Sequence, residues 1–362
     1  MEHRLSSCRG CLLGLAVGDA MGYTVDGKTW EDICRDYGPN GLLGYDLVNG
    51  RAEVSSYTQI AAYVANGLLL GTTRGKQENF PKYMNLAVKE WARRQNLPRD
   101  PQKNSCWVSD IPQLRRRHCR DSRMLDALRA ETLGTPETPI NKTETPGSLT
   151  AAAMVGLAYD PKYMHASNIG SFGTRAVAMT HGDPETFLSG AVLAYLIAGL
   201  LQEPAGTLRE HLVHAVDVME RQFGDKFPQA AVLADRLNNV LSDIREDADH
   251  REKMEQLHCY AAAECLAGAM YACCVCNEDF DTAMIVAVNH SGRSAAVGAL
   301  TGAILGARLG AEALPEFYLE SLEVVNVLEV LAQDLAQGSP TSGLFDDDWD
   351  LKYIQGIPVG KV

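Results

Sequence analysis

Four short polar clusters carry the side chains of this sequence whose types and spacing could do chemistry. "GDAMGYTVDG" from Gly18 supplies Asp19 and Asp26, and "EVSSYTQI" from Glu53 supplies Ser55, Ser56 and Tyr57. "MTHGDPE" from Met179 supplies His181 and Asp183, while "NHSGRSAAVGA" from Asn289 supplies His290, Ser291, Arg293 and Ser294. Each stands where a loop meets an apolar helix. Free N–H groups at such a place suit an anion, and carboxylates there would suit a cation. Each cluster taken alone also reads as a helix cap.

The elements that must position these clusters are helical. "TQIAAYVANGLLLG" spaces apolar residues three and four apart and predicts a helix that stops at Gly71. In "GDPETFLSGAVLAYLIAGLLQ", Asp183 is an N-cap and Pro184 the first helical residue. That helix is apolar nearly all round, which predicts a central buried position. "RSAAVGALTGAILGARLG" repeats Gly298, Gly302, Gly306 and Gly310 every four residues, a bare stripe that lets a neighbouring backbone approach closely. Each interior glycine costs roughly 1 kcal/mol against alanine, so close packing must offset it. "SDIREDADHREKMEQ" reads as a solvated helix or a helix–helix connection. The least regular stretch, about 98–150, reads as surface turns or as site loops on a rigid scaffold. Residues 1–362 are therefore expected to form a single all-α domain with irregular cleft loops around 98–150.

Composition narrows the function classes. A net charge of −13 opposes non-specific nucleic-acid binding, which needs Lys and Arg against phosphates. It leaves room for a small phosphorylated ligand in a local cationic pocket. The dense basic run "QLRRRHCR" (Gln113–Arg120) reads either as a solvated helix end or as a phosphate contact near a cleft. The apolar N-terminal run is interrupted by Asp19, so it reads as a first buried helix rather than a signal peptide. Runs such as Leu188–Leu201 fall short of the ~20 residues that span a bilayer. Cys8 and Cys11 form a CxxC far from any other pair, and Cys273, Cys274 and Cys276 lie in an apolar helical context that spreads them round the helix, so the 10 cysteines read as buried reduced thiols. A cytoplasmic protein with neither nucleic-acid nor membrane partner is expected.

In this order, the clusters resemble the ADP-ribosylglycohydrolase family, in its bacterial dinitrogenase-reductase-activating-glycohydrolase-like branch. The resemblance runs through "GCLLGLAVGDAMGYTVD", "YGPNGLLGYDLVNGRAEVSSYTQIAAYVANGLLLG", "CWVSDIPQL", "MTHGDPE", "AVNHSG" and "LEVVNVLEVLAQDL". It implies an all-α fold with an ADP-ribose cleft in which active members hold two magnesium ions. It also marks where this sequence departs. The first metal motif, Thr/Ser-Asp-Asp-Thr-Gln, reads Ser55-Ser56-Tyr57-Thr58-Gln59, and the second, Gly-Asp-Ser-Asp-Ser/Thr, reads Gly292-Arg293-Ser294-Ala295-Ala296. Ser55, Ser56, Tyr57, Arg293, Ala295 and Ala296 are thus the degenerate metal positions, with no carboxylate among them. The glutamate that follows Gly-Asp-Ala-Leu-Gly in the family, here Gly18-Asp19-Ala20-Met21-Gly22, falls on Asp26, a doubtful acid/base position one methylene shorter. The glycine-rich ligand loop has become "TPGSLTA" (Thr145–Ala151), and the Ala-Pro-Gly-Asn-Thr loop has become "HCRDS" (His118–Ser122). His181 and His290 match positions that orient loops rather than bind metal.

The resemblance thus implies a homologue without cofactor, inactive or impaired, with a binding or scaffolding role. Its ligand is expected to be an ADP-ribose-like small molecule held by Arg293, Ser291, Gly292, Ser294, Gly147, Ser148 and Asp19. Arg293 is expected to fill the vacated metal region and to pair with Asp19, with Asp26 or with ligand phosphates. The alternative is a hydrolase with altered, metal-independent chemistry, in which Asp26 acts as base and Arg293 stabilises a departing anion. The residues do not identify a protein partner.

Overall fold

A computed structural model describes residues 2–96, 104–245, 248–276, 278–339 and 347–359. The chain folds as helices α1 (Glu2–Val25), α2 (Trp30–Tyr37), α3 (Ser56–Thr73), α4 (Phe80–Asn96), α5 (Ser122–Arg129) and α6 (Leu149–Ala158). These are followed by α7 (Ser167–Ala178), α8 (Pro184–Gln202), α9 (Leu208–Phe223), α10 (Gln229–Ser242), α11 (His250–Gln256) and α12 (Ala262–Val275). The last are α13 (Phe280–Val288), α14 (Ser294–Leu309), α15 (Glu316–Ser321), α16 (Val325–Gln337) and α17 (Asp347–Asp350). Among the described residues the only β pairing is two isolated bridges, Val48–Arg51 and Ala52–Leu322. The fold is all-α. One apolar cluster runs without interruption from Cys8 in α1 to Tyr353 beyond α17.

Glycine sets the centre of the molecule. α1 and α14 run antiparallel with their backbones in contact, because Gly10, Gly14 and Gly18 face Gly306, Gly302 and Gly298 in turn. A Cβ on Gly18 would stand 1.9 Å from the Gly298 carbonyl oxygen, and one on Gly302 1.9 Å from that of Gly14. The partner of the α14 stripe is therefore a matching stripe on α1. Gly310 plays a different part. Its φ of 82° ends α14 in the left-handed region, which glycine enters without a Cβ penalty.

The same physics moves the end of α3. Gly71 lies within the helix, pressed against the Tyr83 and Phe80 rings, and the chain turns at Gly75, whose φ is 59°. α8 begins as its sequence predicts: Asp183 accepts the Thr186 N–H and Pro184 follows at the first turn. With its first turn included, α8 reaches 19 residues and is long and apolar enough to cross a bilayer, longer than its apolar run alone. Yet 78% of that window is buried inside the protein, as a core helix requires. The N-terminal run is likewise buried, as most of α1. All ten cysteines are free thiols, and most are buried. The irregular stretch, whose residues 98–103 lie outside those described, contains two 3-10 turns and α5 before α6 begins. Of the charged stretch, residues 246–247 lie outside those described, and His250–Gln256 form α11, capped by Asp249.

Candidate functional site

The α1–α14 contact fixes one side of a cleft. Its last rung sets Gly22 against the Ser294 carbonyl, so the chain leaving α1 passes the start of α14. Gly27 N–H then reaches the Gly292 carbonyl at 3.3 Å, and Asp26 Oδ1 accepts the Ala295 N–H at 3.2 Å. Asp26 therefore caps α14, where a negative charge is favoured. Arg293 Nη1 lies 3.8 Å from Asp26 Oδ2. Burial pushes the Asp26 carboxyl up from its ordinary range, while Arg293 and the Ala295 N–H pull it back. Asp26 is Arg293's partner; Asp19 lies elsewhere.

Asp19 is fully buried and holds the start of α3. Its carboxylate accepts the N–H groups of Ser55 and Thr58 at 2.9 and 3.0 Å, and their hydroxyls at 2.5 and 2.6 Å. Burial raises its pKa to about 6 against the pull of those donors. Replacing Asp19 with alanine would strand two buried backbone donors, at about 1–3 kcal/mol each. The expected loss in chemical denaturation is therefore about 2–6 kcal/mol. A loss below about 1 kcal/mol would show that water replaces the carboxylate there.

The opposite wall comes from the basic run. Gln59 in α3 donates to the Gln113 and Arg116 carbonyls, Arg116 pairs with Glu53 and Glu323, and His118 Nδ1–H donates to the Val54 carbonyl at 2.7 Å. The run is thus a 3-10 turn and an extended leg strapped over α3, not a helix end. It delivers Arg120, stacked 4.8 Å over the Tyr23 ring, into the cleft. Next to it, Asp121 caps α5 and accepts from the Thr145 hydroxyl. His181 is buried behind these residues. Its Nε2 meets Thr145 Oγ1 at 3.0 Å and Asp121 Oδ2 at 3.4 Å, and its Nδ1 meets the hydroxyls of Ser148 at 2.8 Å and Thr180 at 2.7 Å. Burial alone would raise the Asp121 pKa, but the bonds from His181 and Thr145 outweigh it and hold the carboxyl well below its usual range. Between the walls lies a cavity of ≈ 230 Å³ lined by Asp26, Asp121, Arg120, Arg123, Arg293 and neighbouring loop residues.

A family model for ADP-ribosylglycohydrolase matches residues 1–344. The chain belongs to the ADP-ribosylglycohydrolase family. It is similar to an uncharacterised protein of Archaeoglobus fulgidus, 25% identical over 337 residues that cover 90% of this chain and 95% of that one. It is also similar in structure to an ADP-ribosylglycohydrolase-related protein complex, with a TM-score of 0.61 and 25% identity, over 93% of this chain and 99% of that chain.

Within this ADP-ribosylglycohydrolase fold, the residues singled out in the sequence divide into two groups. Arg293, Gly147, Asp26, Ser56 and Tyr57 line the cavity. Asp19, Ser55 and Ser294 are buried in caps and turns, and Ser148 lies behind Gly147 on His181. Ser291 is occupied as well: its N–H and hydroxyl reach Glu255, and its oxygen receives the Trp30 N–H. Gly292 packs against the carbonyls of His258 and Cys259, where a Cβ would come within 2.5 Å. Ala295 and Ala296 are buried in α14. Asp121 and Thr145 line the cavity from the two degenerate loops "HCRDS" and "TPGSLTA" without having been given a role of their own, and Arg123 lines it from outside both loops. The signal for Asp121 was its cap position before "SRMLDALR"; its meeting with His181, 60 residues away, had none.

His290 orients its loop through both ring nitrogens: Nε2 to the Ala287 carbonyl at 3.0 Å, and Nδ1 from the Gly292 N–H at 3.0 Å. Burial lowers its pKa to about 4. An unfolded histidine titrates near 6.5, so between those values the unfolded chain holds more protons. Stability contributed here is full above pH ~6.5 and falls as pH drops toward about 4. His290→Gln is expected to flatten that slope in denaturant titrations at pH 7 and pH 5. An unchanged slope would assign the acid sensitivity to other groups.

Proposed function

We propose that this protein is an ADP-ribosylglycohydrolase-fold binding protein that has given up dimetal hydrolysis. Its cleft holds a phosphorylated, ADP-ribose-like small molecule by guanidinium groups instead of ions. The observation that carries the reading is Arg293, on the second metal motif, 3.8 Å from the carboxylate of Asp26. Magnesium needs near-octahedral oxygen ligation anchored by carboxylates. Among the described residues no group of three or more His, Cys, Asp or Glu could hold a metal ion. Ser55 is spent on Asp19, and Tyr57 is a neutral hydroxyl whose burial pushes its pKa well up. A guanidinium ~4 Å from a divalent ion opposes it by roughly 8 kcal/mol at an effective dielectric near 20. The residues present do not fit the ions. The ten free thiols suit a reducing, cytoplasmic setting.

Asp26 is poorly placed as a general base, since its oxygens face Arg293 and the Ala295 N–H. The test is release of ADP-ribose from a modified protein, assayed with magnesium, with manganese and with a chelator. No turnover above background is expected in any buffer. Turnover that Asp26→Asn abolishes would overturn the reading in favour of metal-independent hydrolysis.

A further inference from the structure

Resting on the reading of the cleft as a metal-free anion site, we infer that its ligand is a compact sugar monophosphate, of the size of a pentose phosphate, rather than a whole ADP-ribose. Three features of the cavity point to this class.

Size is the first. Pockets that enclose drug-sized ligands run to about 300–1,000 Å³. This cavity has ≈ 230 Å³, below that range, so a ligand of two phosphates, two riboses and a base would extend out of it into solvent. A pentose phosphate has fewer than half the non-hydrogen atoms of such a ligand. The space is taken up by side chains with reasons to stay. Arg120 is stacked on Tyr23 and also donates to the Asp26 carbonyl at 3.4 Å, while Arg293 reaches in beside Asp26.

Charge is the second. Arg120, Arg123 and Arg293 face Asp26 and Asp121, leaving one formal positive charge in excess. At 3.8 Å from Asp26, Arg293 is beyond hydrogen-bond reach, so its fork of donors is free for another acceptor. A phosphate monoester brings close to two negative charges at neutral pH and three oxygens for bidentate guanidinium contact. The two bridged phosphates of ADP-ribose bring one charge each, spread over a longer ligand.

The third feature is hydroxyl recognition. Asp121 is fixed in place by the Met124 N–H, Thr145 and His181, and its ionised oxygens keep lone pairs for further donors. Hydroxyl groups of Ser56, Tyr57 and Thr145 stand on the same lining. Cationic groups together with fixed acceptors match a polyhydroxylated phosphate better than inorganic phosphate alone.

The experiment is a calorimetric titration of the full chain with ribose 5-phosphate, ADP-ribose, ribose and inorganic phosphate, in chelator throughout. Ribose 5-phosphate is expected to bind at least fivefold tighter than ADP-ribose and than inorganic phosphate, with ribose weakest. Arg123→Ala, at an exposed position, is expected to weaken it several-fold without changing the melting temperature. ADP-ribose binding tighter than ribose 5-phosphate would overturn the compact-ligand assignment and leave the anion cleft standing. Inorganic phosphate matching ribose 5-phosphate would remove the sugar. Binding of none of the four would overturn both this inference and the reading beneath it.

Discussion

Replacing Gly302 with valine is expected to destabilise the protein by about 3 kcal/mol or more, at the top of the range for overpacked cores. The reason is that the obstacle is backbone. A Cβ at Gly302 would meet the Gly14 carbonyl oxygen at 1.9 Å, and no rotamer change relieves that contact. α1 and α14 would have to part, and every rung from Gly10–Gly306 to Gly22–Ser294 would open with them. Because Asp26 and Arg293 hang from the last rung, the cleft is expected to lose its geometry as well. Gly44→Ala is the control: nothing lies within 4 Å of its added Cβ, and its effect should stay within about 0.5 kcal/mol. Thermal melts of the two variants decide the point. Similar small shifts in both would mean that the glycine stripes do not hold the fold together.

Arg293→Ala should cut affinity for a phosphorylated ligand by ten- to a hundredfold. This is the span expected when a hydrogen bond to a charged group, at about 1.5–3 kcal/mol, is lost. A second signature separates this effect from simple loosening. Asp26 is buried, its pKa is raised by burial, and Arg293 opposes that rise. Without Arg293 the pKa should climb further. A carboxylate whose folded pKa exceeds its unfolded value loses stability as pH rises through that range. The stability gap between wild type and Arg293→Ala should therefore vanish in acid, where Asp26 is protonated in both, and widen as pH rises. Urea titrations across pH 4 to 8 would show it. A gap that does not change with pH would mean that Arg293 does not act through Asp26.

How much of this was legible in the sequence depended on how local the physics is. Asp183 followed by Pro184 is a local signal, and α8 starts there. The α14 glycine stripe was visible, as was its need for a close neighbour, but the matching stripe at Gly10, Gly14, Gly18 and Gly22 was passed over in an apolar run. Gly71 looked like a helix stop because a glycine that ends a helix and one that admits two aromatic rings are the same letter. Only φ separates Gly71 from Gly75. At the site, the arginine in place of a metal-motif carboxylate was readable, and its pairing with Asp26 was one of the expected partners. Asp19 could not be told from a ligand group, since its four donors come from residues 36 and 39 positions along the chain. The Asp121–Thr145–His181 wall joins three distant segments, which no spacing rule brings together.

The most direct measurement is a calorimetric titration of ADP-ribose and of ribose 5-phosphate into the protein, first in magnesium and then in chelator. Arg293 standing in for the ions predicts the same affinity, within about twofold, in both buffers for whichever ligand binds. Binding that appears only with magnesium would contradict it, and would mean that the hydroxyls of Ser56 and Tyr57 hold a metal beside Arg293.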